Sequence, residues 1–189
     1  MEKERIVVGA TGASGLPILK TCLEIIREDK RYSTCLIMSD SAKLTLEYEM
    51  QESAEEVEEA ADEVFPIDAI GAGPASGSYK TKGMLIVPCS MKTVAGIHSG
   101  YADNLILRAA DVTLKEQRPL ILAARETPLS AIHLRNMQEL AMIPGVRIIP
   151  PMLTFYQKPE SIEDMVYHIA AKLVEPFGIE AKGYRRWNG

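Results

Sequence analysis

Ile6-Val7-Val8-Gly9-Ala10-Thr11-Gly12-Ala13-Ser14-Gly15 is the stretch from which the rest of the chain is read. A β-branched apolar run stops at three glycines spaced three apart, and helical spacing follows, so the local reading is strand, tight loop, helix. Such a junction suits an anion. Glycine lets the backbone approach a phosphate closely, and a helix N-terminus offers unpaired N–H groups and the positive end of its dipole. The spacing is G-x-x-G-x-x-G, not the G-x-G-x-x-G dinucleotide fingerprint. The motif therefore indicates a phosphate-bearing ligand at a first βα turn and leaves that ligand open. A glycine turn that only packs a helix closely on a strand satisfies the same pattern.

Downstream, strands and helices alternate. Pro17 suits a first helical turn, and Ile18, Cys22, Leu23 and Ile26 mark the apolar face of a helix to about Arg27. Tyr32 to Met38 reads as a strand ending in Ser39-Asp40, with a helix to about Met50 behind it. Ser53-Ala54-Glu55-Glu56 is a capping-box pattern opening an acidic helix through Ala61, read as a solvated face. Residues 67–79, rich in Gly, Pro and Ser, form a long loop. Met84 to Pro88 is a continuous apolar run of the kind buried on both faces of a parallel sheet, and Cys89 to Thr93 makes its turn into a helix through Ile97. Asp103-Asn104 caps a helix to Gln117, and Leu120 to Ala123 is a strand. Thr127 and Pro128 read as N-cap and first residue of a helix to about Met142. Val146 to Ile149 is a last strand, and Ser161 caps a helix through about Phe177. These intervals predict one domain over 1–189. The fold class is α/β, a three-layer Rossmann-like (flavodoxin-like) domain with a mainly parallel sheet and helices on both faces. Ligands then bind beyond the carboxyl ends of the strands, at the switch in strand order.

Composition narrows the function. The chain has 189 residues, a formal net charge of -5, 47% hydrophobic residues and three cysteines, enough for a substantial single core. Mild acidity disfavours a nucleic-acid partner. Cys22, Cys35 and Cys89 form no C-x-x-C pair, which fits a reducing compartment. Neither a signal peptide nor a bilayer-length apolar run is present, so a cytoplasmic protein without a membrane partner is expected. His98, His133 and His168 occur at no ligand-like spacing, so no metal is expected.

Candidate groups lie in the loops after the strands. Arg125-Glu126 directly follows an apolar strand; arginine's planar fork suits phosphate, and a partly desolvated Glu126 can act as acid or base. Arg108 and Lys115 are seven apart on one helix with Asp111 between them, either two cations for a second phosphate or an ion-paired surface face. Ser14 reads most simply as a helix cap and Glu49 as a surface glutamate. Tyr156 and Trp187 are either pocket walls or packing.

Taken together, Gly9 to Gly15, Met38-Ser39, Ser76-Gly77-Ser78, Pro88 to Thr93, Tyr101 to Leu105, Arg108 to Val112, Leu114-Lys115-Glu116, Arg118-Pro119-Leu120, Arg125 to Leu129, Ile132-His133-Leu134, Asn136-Met137, Pro150-Pro151-Met152 and Phe155-Tyr156 resemble the flavin prenyltransferase family of the UbiX type over nearly the whole chain. The resemblance implies a metal-independent transferase that moves a dimethylallyl group from dimethylallyl phosphate to reduced FMN, closing a fourth ring on the flavin. The product, prenylated FMN, serves UbiD-type decarboxylases. It further implies FMN contacts at Gly12, Ala13, Ser14, Ser39, Ser90, Met91, Lys92, Thr93 and Arg125. The allylic phosphate would meet Lys115, Arg125, Tyr156 and Lys172. Catalytic roles fall on Ser14, Glu49, Arg108 and Glu126, Trp187 helps close the pocket, and the family's habit is a homo-oligomer, a dodecamer. Such roles are physically coherent: cations stabilise departing phosphate, and a carboxylate moves the proton that ring closure releases.

This chain departs from the family pattern at Lys172, where arginine is usual, in the Leu16-Pro17-Ile18-Leu19 stretch, and in the connection Met142 to Gly145, which looks one residue longer than usual. An FMN-binding subunit that only delivers cofactor to a decarboxylase would share every FMN contact. An FMN-dependent cysteine decarboxylase would need a histidine in the first half, and none precedes His98. A nicotinamide-dependent reductase would leave Arg125-Glu126 unexplained.

Overall fold

The computed structural model describes residues 3–187. Six strands, β1 (Glu4–Ala10), β2 (Tyr32–Met38), β3 (Glu63–Phe65), β4 (Gly83–Cys89), β5 (Leu120–Ala124) and β6 (Val146–Ile148), form one sheet in the order β3-β2-β1-β4-β5-β6. Every pairing is parallel. This is a doubly wound order, and the direction of winding reverses between β1 and β4.

Strand side chains alternate between two cores because successive Cβ atoms point to opposite faces. Ile6, Val8, Leu36, Leu85, Val87, Ile121 and Ala123 meet one face; Val7, Cys35, Ile37, Met84, Ile86, Leu120 and Leu122 meet the other. The first face is covered by α1 (Leu16–Glu28), α2 (Asp40–Glu49), α3 (Ala54–Glu58) and α7 (Ile162–Val174). The second is covered by α4 (Met91–Ser99), α5 (Leu105–Lys115) and α6 (Ala131–Ala141). With α1 and α4 on opposite faces, a crevice opens at the carboxyl ends of β1 and β4. No helix of the described residues is long and apolar enough to cross a membrane.

Two elements differ from the sequence expectation. The acidic helix is short: Ser53 does make its capping box, but the chain leaves the helix after Glu58 and adds the edge strand β3 beside Cys35 to Ile37. Three residues are too few to display a period. The helix expected to start at Thr127-Pro128 instead starts at Ala131, capped by Ser130, whose hydroxyl accepts from the His133 amide while the His133 ring accepts from the Ser130 amide. Thr127-Pro128 is a cis peptide within the preceding loop.

All three cysteines are buried, and burial pushes the Cys35 thiol up to about 11. At the opposite end of β4 from the crevice, Gly83 has φ +154, and a Cβ there would lie 2.5 Å from the Pro119 carbonyl oxygen. Gly83→Ala should lower unfolding free energy in urea by about 2–4 kcal/mol. Gly71→Ala, with nothing within 4 Å of the new methyl, should change it by less than about 0.5 kcal/mol.

Candidate functional site

The crevice is held together by one threonine. Pro88 has no N–H to give the ladder, and the β4–β5 register shifts between Ile86 and Cys89. The Pro88 carbonyl is thereby free to accept from both the Thr11 amide (3.1 Å) and the Thr11 hydroxyl (3.0 Å). The same hydroxyl accepts from the Ser90 amide at 2.8 Å. The loops after β1 and β4 are thus joined through a buried side chain. Neighbouring loops follow the same rule: the Ser39 amide donates to Ala10 (3.0 Å) and the Arg125 amide to Cys89 (3.1 Å). Sequence reasoning passed over Thr11. Its signal was a hydroxyl between a strand end and a glycine, where a bare turn needs none.

At the start of α1 the anion position is already filled. Glu49, in the last turn of α2, accepts from the Gly15 amide at 3.2 and 3.0 Å and from the Leu16 amide at 2.9 Å. A carboxylate here is matched to the helix dipole. Ser14 is consequently not the cap: Gly15 holds the N-cap position, and the Ser14 hydroxyl is exposed, without a partner among the described residues. Gly12 lies against α2, where a Cβ would come 2.6 Å from the Ser41 Cβ.

The open helix start is that of α4. Ser90 caps it, accepting from the Thr93 amide and meeting the Thr93 hydroxyl at 3.1 Å. The amides of Met91 and Lys92, in the first turn, have no intrahelical acceptor. Lys92 is exposed, and neither its ammonium nor the Arg125 guanidinium has a partner among the described residues. Glu126, exposed beside Arg125, accepts only from the Thr127 amide, at 2.9 Å. An N-capped helix start, two cations without partners among the described residues and a free hydroxyl fit the phosphate and polar edge of a flavin nucleotide. Among the described residues no cluster of three His, Cys, Asp or Glu is placed to hold a metal.

Two expected residues lie away from this crevice. Ile106 packs toward Gly9 on the sheet, so Arg108, two residues on, points outward. There its guanidinium pairs with Asp111 at 2.6 Å and donates to the Ala75 carbonyl at 3.3 Å. Lys115 lies at the opposite edge of the sheet. It pairs with Glu116 at 2.8 Å beside Gly77, and Pro119, four residues on, receives the Met84 amide at the beginning of β4. The length of β5 separates that edge from Arg125 by about 20 Å. Two phosphate positions do not converge within one copy through Lys115.

The remaining expected residues gather around α7. Tyr156 and Trp187 pack with ring centroids 5.3 Å apart and their planes tilted by 58°. Lys172, exposed, pairs with Glu175 at 2.6 Å. The tail is strapped to α7 by Arg185 on Asp164 (2.6 Å) and by Arg186 on Glu175.

Known proteins resemble this chain over its length. Residues 1–174 match the Flavoprotein family. A probable UbiX-like flavin prenyltransferase of Streptomyces sp. (strain D7) is 49% identical over 98% of this chain and 92% of its own. The crystal structure of AnUbiX (PadA1) in complex with FMN and dimethylallyl pyrophosphate superimposes with TM-score 0.96 at 45% identity, covering 100% of this chain and 99% of that one. The dodecameric FMN-dependent UbiX-like decarboxylase of Escherichia coli O157:H7 does so with TM-score 0.95 at 47% identity, covering 98% and 100%.

Thr11→Val removes one donor and one acceptor and strands the Ser90 amide and part of the Pro88 carbonyl. It should cost about 1–3 kcal/mol in urea unfolding and weaken FMN binding, read by flavin fluorescence.

Proposed function

The chain belongs to the UbiX-like flavin prenyltransferases of the Flavoprotein family, and on that footing we propose that it transfers a dimethylallyl group from dimethylallyl phosphate to reduced FMN, making prenylated FMN for a UbiD-type decarboxylase. The observation that carries the reading is the open, cation-flanked rim at Ser14, Ser90, Lys92 and Arg125 around the crevice.

Gly12, Ala13, Ser14, Ser39, Ser90, Met91, Lys92, Thr93 and Arg125 hold FMN, all on loops tied together at the β1–β4 switch. The α4 N-terminus takes the nucleotide phosphate because Glu49 already fills the start of α1. Glu49 orders the Gly15 loop and so fixes where the Ser14 hydroxyl stands. Glu126, at the end of β5, is placed to take the proton lost on ring closure. Tyr156, Lys172 and Trp187 form the wall for the isoprenoid phosphate, and departure of that phosphate is the step at which cationic side chains lower the barrier.

Arg108 and Lys115 reach this chemistry through a second copy. Within one chain they sit on another surface, and the relative from Escherichia coli O157:H7 is dodecameric. Each copy then acts as a single flavin-binding domain that lends its α5 cations to a neighbour.

Anaerobic incubation with reduced FMN and dimethylallyl phosphate should yield a flavin heavier by one prenyl unit on mass spectrometry. Recovery of unmodified FMN alone would instead mark a cofactor-delivery subunit. Glu126→Gln should bind FMN as the parent does and lose turnover by about 100-fold or more; undiminished turnover would remove its proton-transfer role.

A further inference from the structure

Two stretches, Ser76-Gly77-Ser78 and Arg118-Pro119-Leu120, have no part in the crevice, and the structure joins them at the edge where the α5 cations lie. Gln117, at φ +55, ends α5 with a left-handed residue, and the Arg118 amide closes the turn onto the Thr113 carbonyl at 3.0 Å. The Arg118 side chain, 16% exposed, is thereby turned onto the loop before β4. Its guanidinium donates to the Gly77 carbonyl at 2.8 Å, the Tyr79 carbonyl at 3.0 Å and the Thr81 hydroxyl at 3.2 Å. Three acceptors on alternate residues, met by one planar fork, fix the path of that segment. The loop so held touches both α5 cations. The Ala75 carbonyl accepts from the Arg108 guanidinium at 3.3 Å. Gly77 lies against the Lys115–Glu116 pair, where a Cβ would strike the Glu116 carboxylate and come 2.9 Å from the Lys115 ammonium.

We propose that Arg118 is a positioning residue for the transfer reaction: by fixing the loop through Gly77, Tyr79 and Thr81 it sets where Arg108 and Lys115 stand when they serve a neighbouring copy. The inference rests on the flavin prenyltransferase reading and on the second-copy role of those two cations. Each cation also meets a carboxylate of its own helix or cap, Asp111 at 2.6 Å and Glu116 at 2.8 Å, but such half-exposed pairs hold a long side chain weakly. What the two cations share is the loop, and a side chain placed in advance of its ligand loses less freedom on binding. Both terminal nitrogens of Arg118 are already bonded to the loop, so it acts through the loop and not on the ligand. Its nearest carboxylate, Glu116, is 3.8 Å away, too far for a hydrogen bond. Arg108, Lys115 and Arg118 against Asp111 and Glu116 leave this edge with an excess of positive charge, which favours an anion.

The test is calorimetric binding of dimethylallyl phosphate to the FMN-loaded protein for the parent, Arg118→Met, Lys115→Met and the double variant, with FMN affinity and urea unfolding measured alongside. Methionine keeps much of the stem and removes the fork. We expect Arg118→Met to weaken dimethylallyl phosphate about tenfold with FMN affinity within about twofold, and to weaken it less than about threefold once Lys115 is methionine, because only Arg108 is then left to position. Arg118→Lys, which keeps the charge without the fork, should restore affinity only in part. Gly77 has no positive φ, and its new methyl in Gly77→Ala meets the flexible ends of Lys115 and Glu116, so this variant should unfold as the parent does and bind dimethylallyl phosphate about threefold more weakly. Parental affinity in Arg118→Met overturns the proposal. So does an equal loss in both Lys115 backgrounds, or a parallel loss of FMN affinity, either of which marks Arg118 as a structural clamp alone. If Arg118→Met does not fold, Gly77→Ala decides, and parental affinity there overturns it. A parent protein that binds no dimethylallyl phosphate overturns it together with the assigned activity. A parent that forms prenylated flavin while Arg118→Met binds the donor equally well defeats only the positioning role; one that shows the expected coupling but forms no prenylated flavin supports that role and defeats the assigned activity instead.

Discussion

The site depends on a single hydroxyl inserted where the sheet changes its winding direction. At that point the two strands that end side by side, β1 and β4, send their helices to opposite faces, and the backbone bond from the Thr11 amide to the Pro88 carbonyl needs reinforcement to hold the departing loops together. Pro88 interrupts β4 and frees its own carbonyl, and Thr11 spans the gap by donating to that carbonyl while accepting from Ser90. Because Thr11 is 5% exposed, water competes poorly for these bonds. The geometry of a ligand crevice is therefore set by interior hydrogen bonds, and its rim residues remain free for ligand.

Electrostatics then decides which helix start is left open. Both α1 and α4 begin at the crevice with uncompensated amides and both could receive a phosphate. Glu49 supplies α1 with a carboxylate from the same chain, an intramolecular anion always present, at 2.9 Å from the Leu16 amide. An incoming phosphate has to displace that carboxylate at α1, whereas at α4 it meets only a serine cap, with Lys92 adjoining. On the proposed reading the α4 start takes the phosphate because it has no competitor. The same arrangement releases Ser14 from capping duty, which a serine at the mouth of a helix would otherwise perform.

Much of this was legible in the residues. The apolar runs at Ile6, Tyr32, Met84, Leu120 and Val146, each followed by helical spacing, specify five of the six strands and a parallel sheet. The rule that ligands collect at strand carboxyl ends then selected the loops that the structure ties together. What sequence could not supply falls into two kinds. Glu49 and Thr11 act on partners 34 and 77 residues away, and no local pattern encodes a contact of that range. Arg108 and Lys115 share a helix with a face toward the sheet, but helical periodicity does not say which end of α5 lies at the ligand rim. The chain direction does: α5 runs back to the start of β5, so its last turn ends at the far edge.

A donor whose phosphate must leave makes one further demand, that water be kept from the cationic carbon, and on the proposed reading the carboxyl-terminal segment answers it. Trp187 packs at a tilt against Tyr156, while Arg185 and Arg186 anchor the tail to Asp164 in α7 and Glu175 at its C-terminal cap. These anchors are ion pairs at the surface, individually weak, so the strap holds through the sum of its contacts. The crevice, by contrast, rests on the hydrogen bonds of the buried Thr11. On the proposed reading, interior bonds fix the loops beside the acceptor ring and surface pairs hold the wall where the donor arrives and phosphate departs.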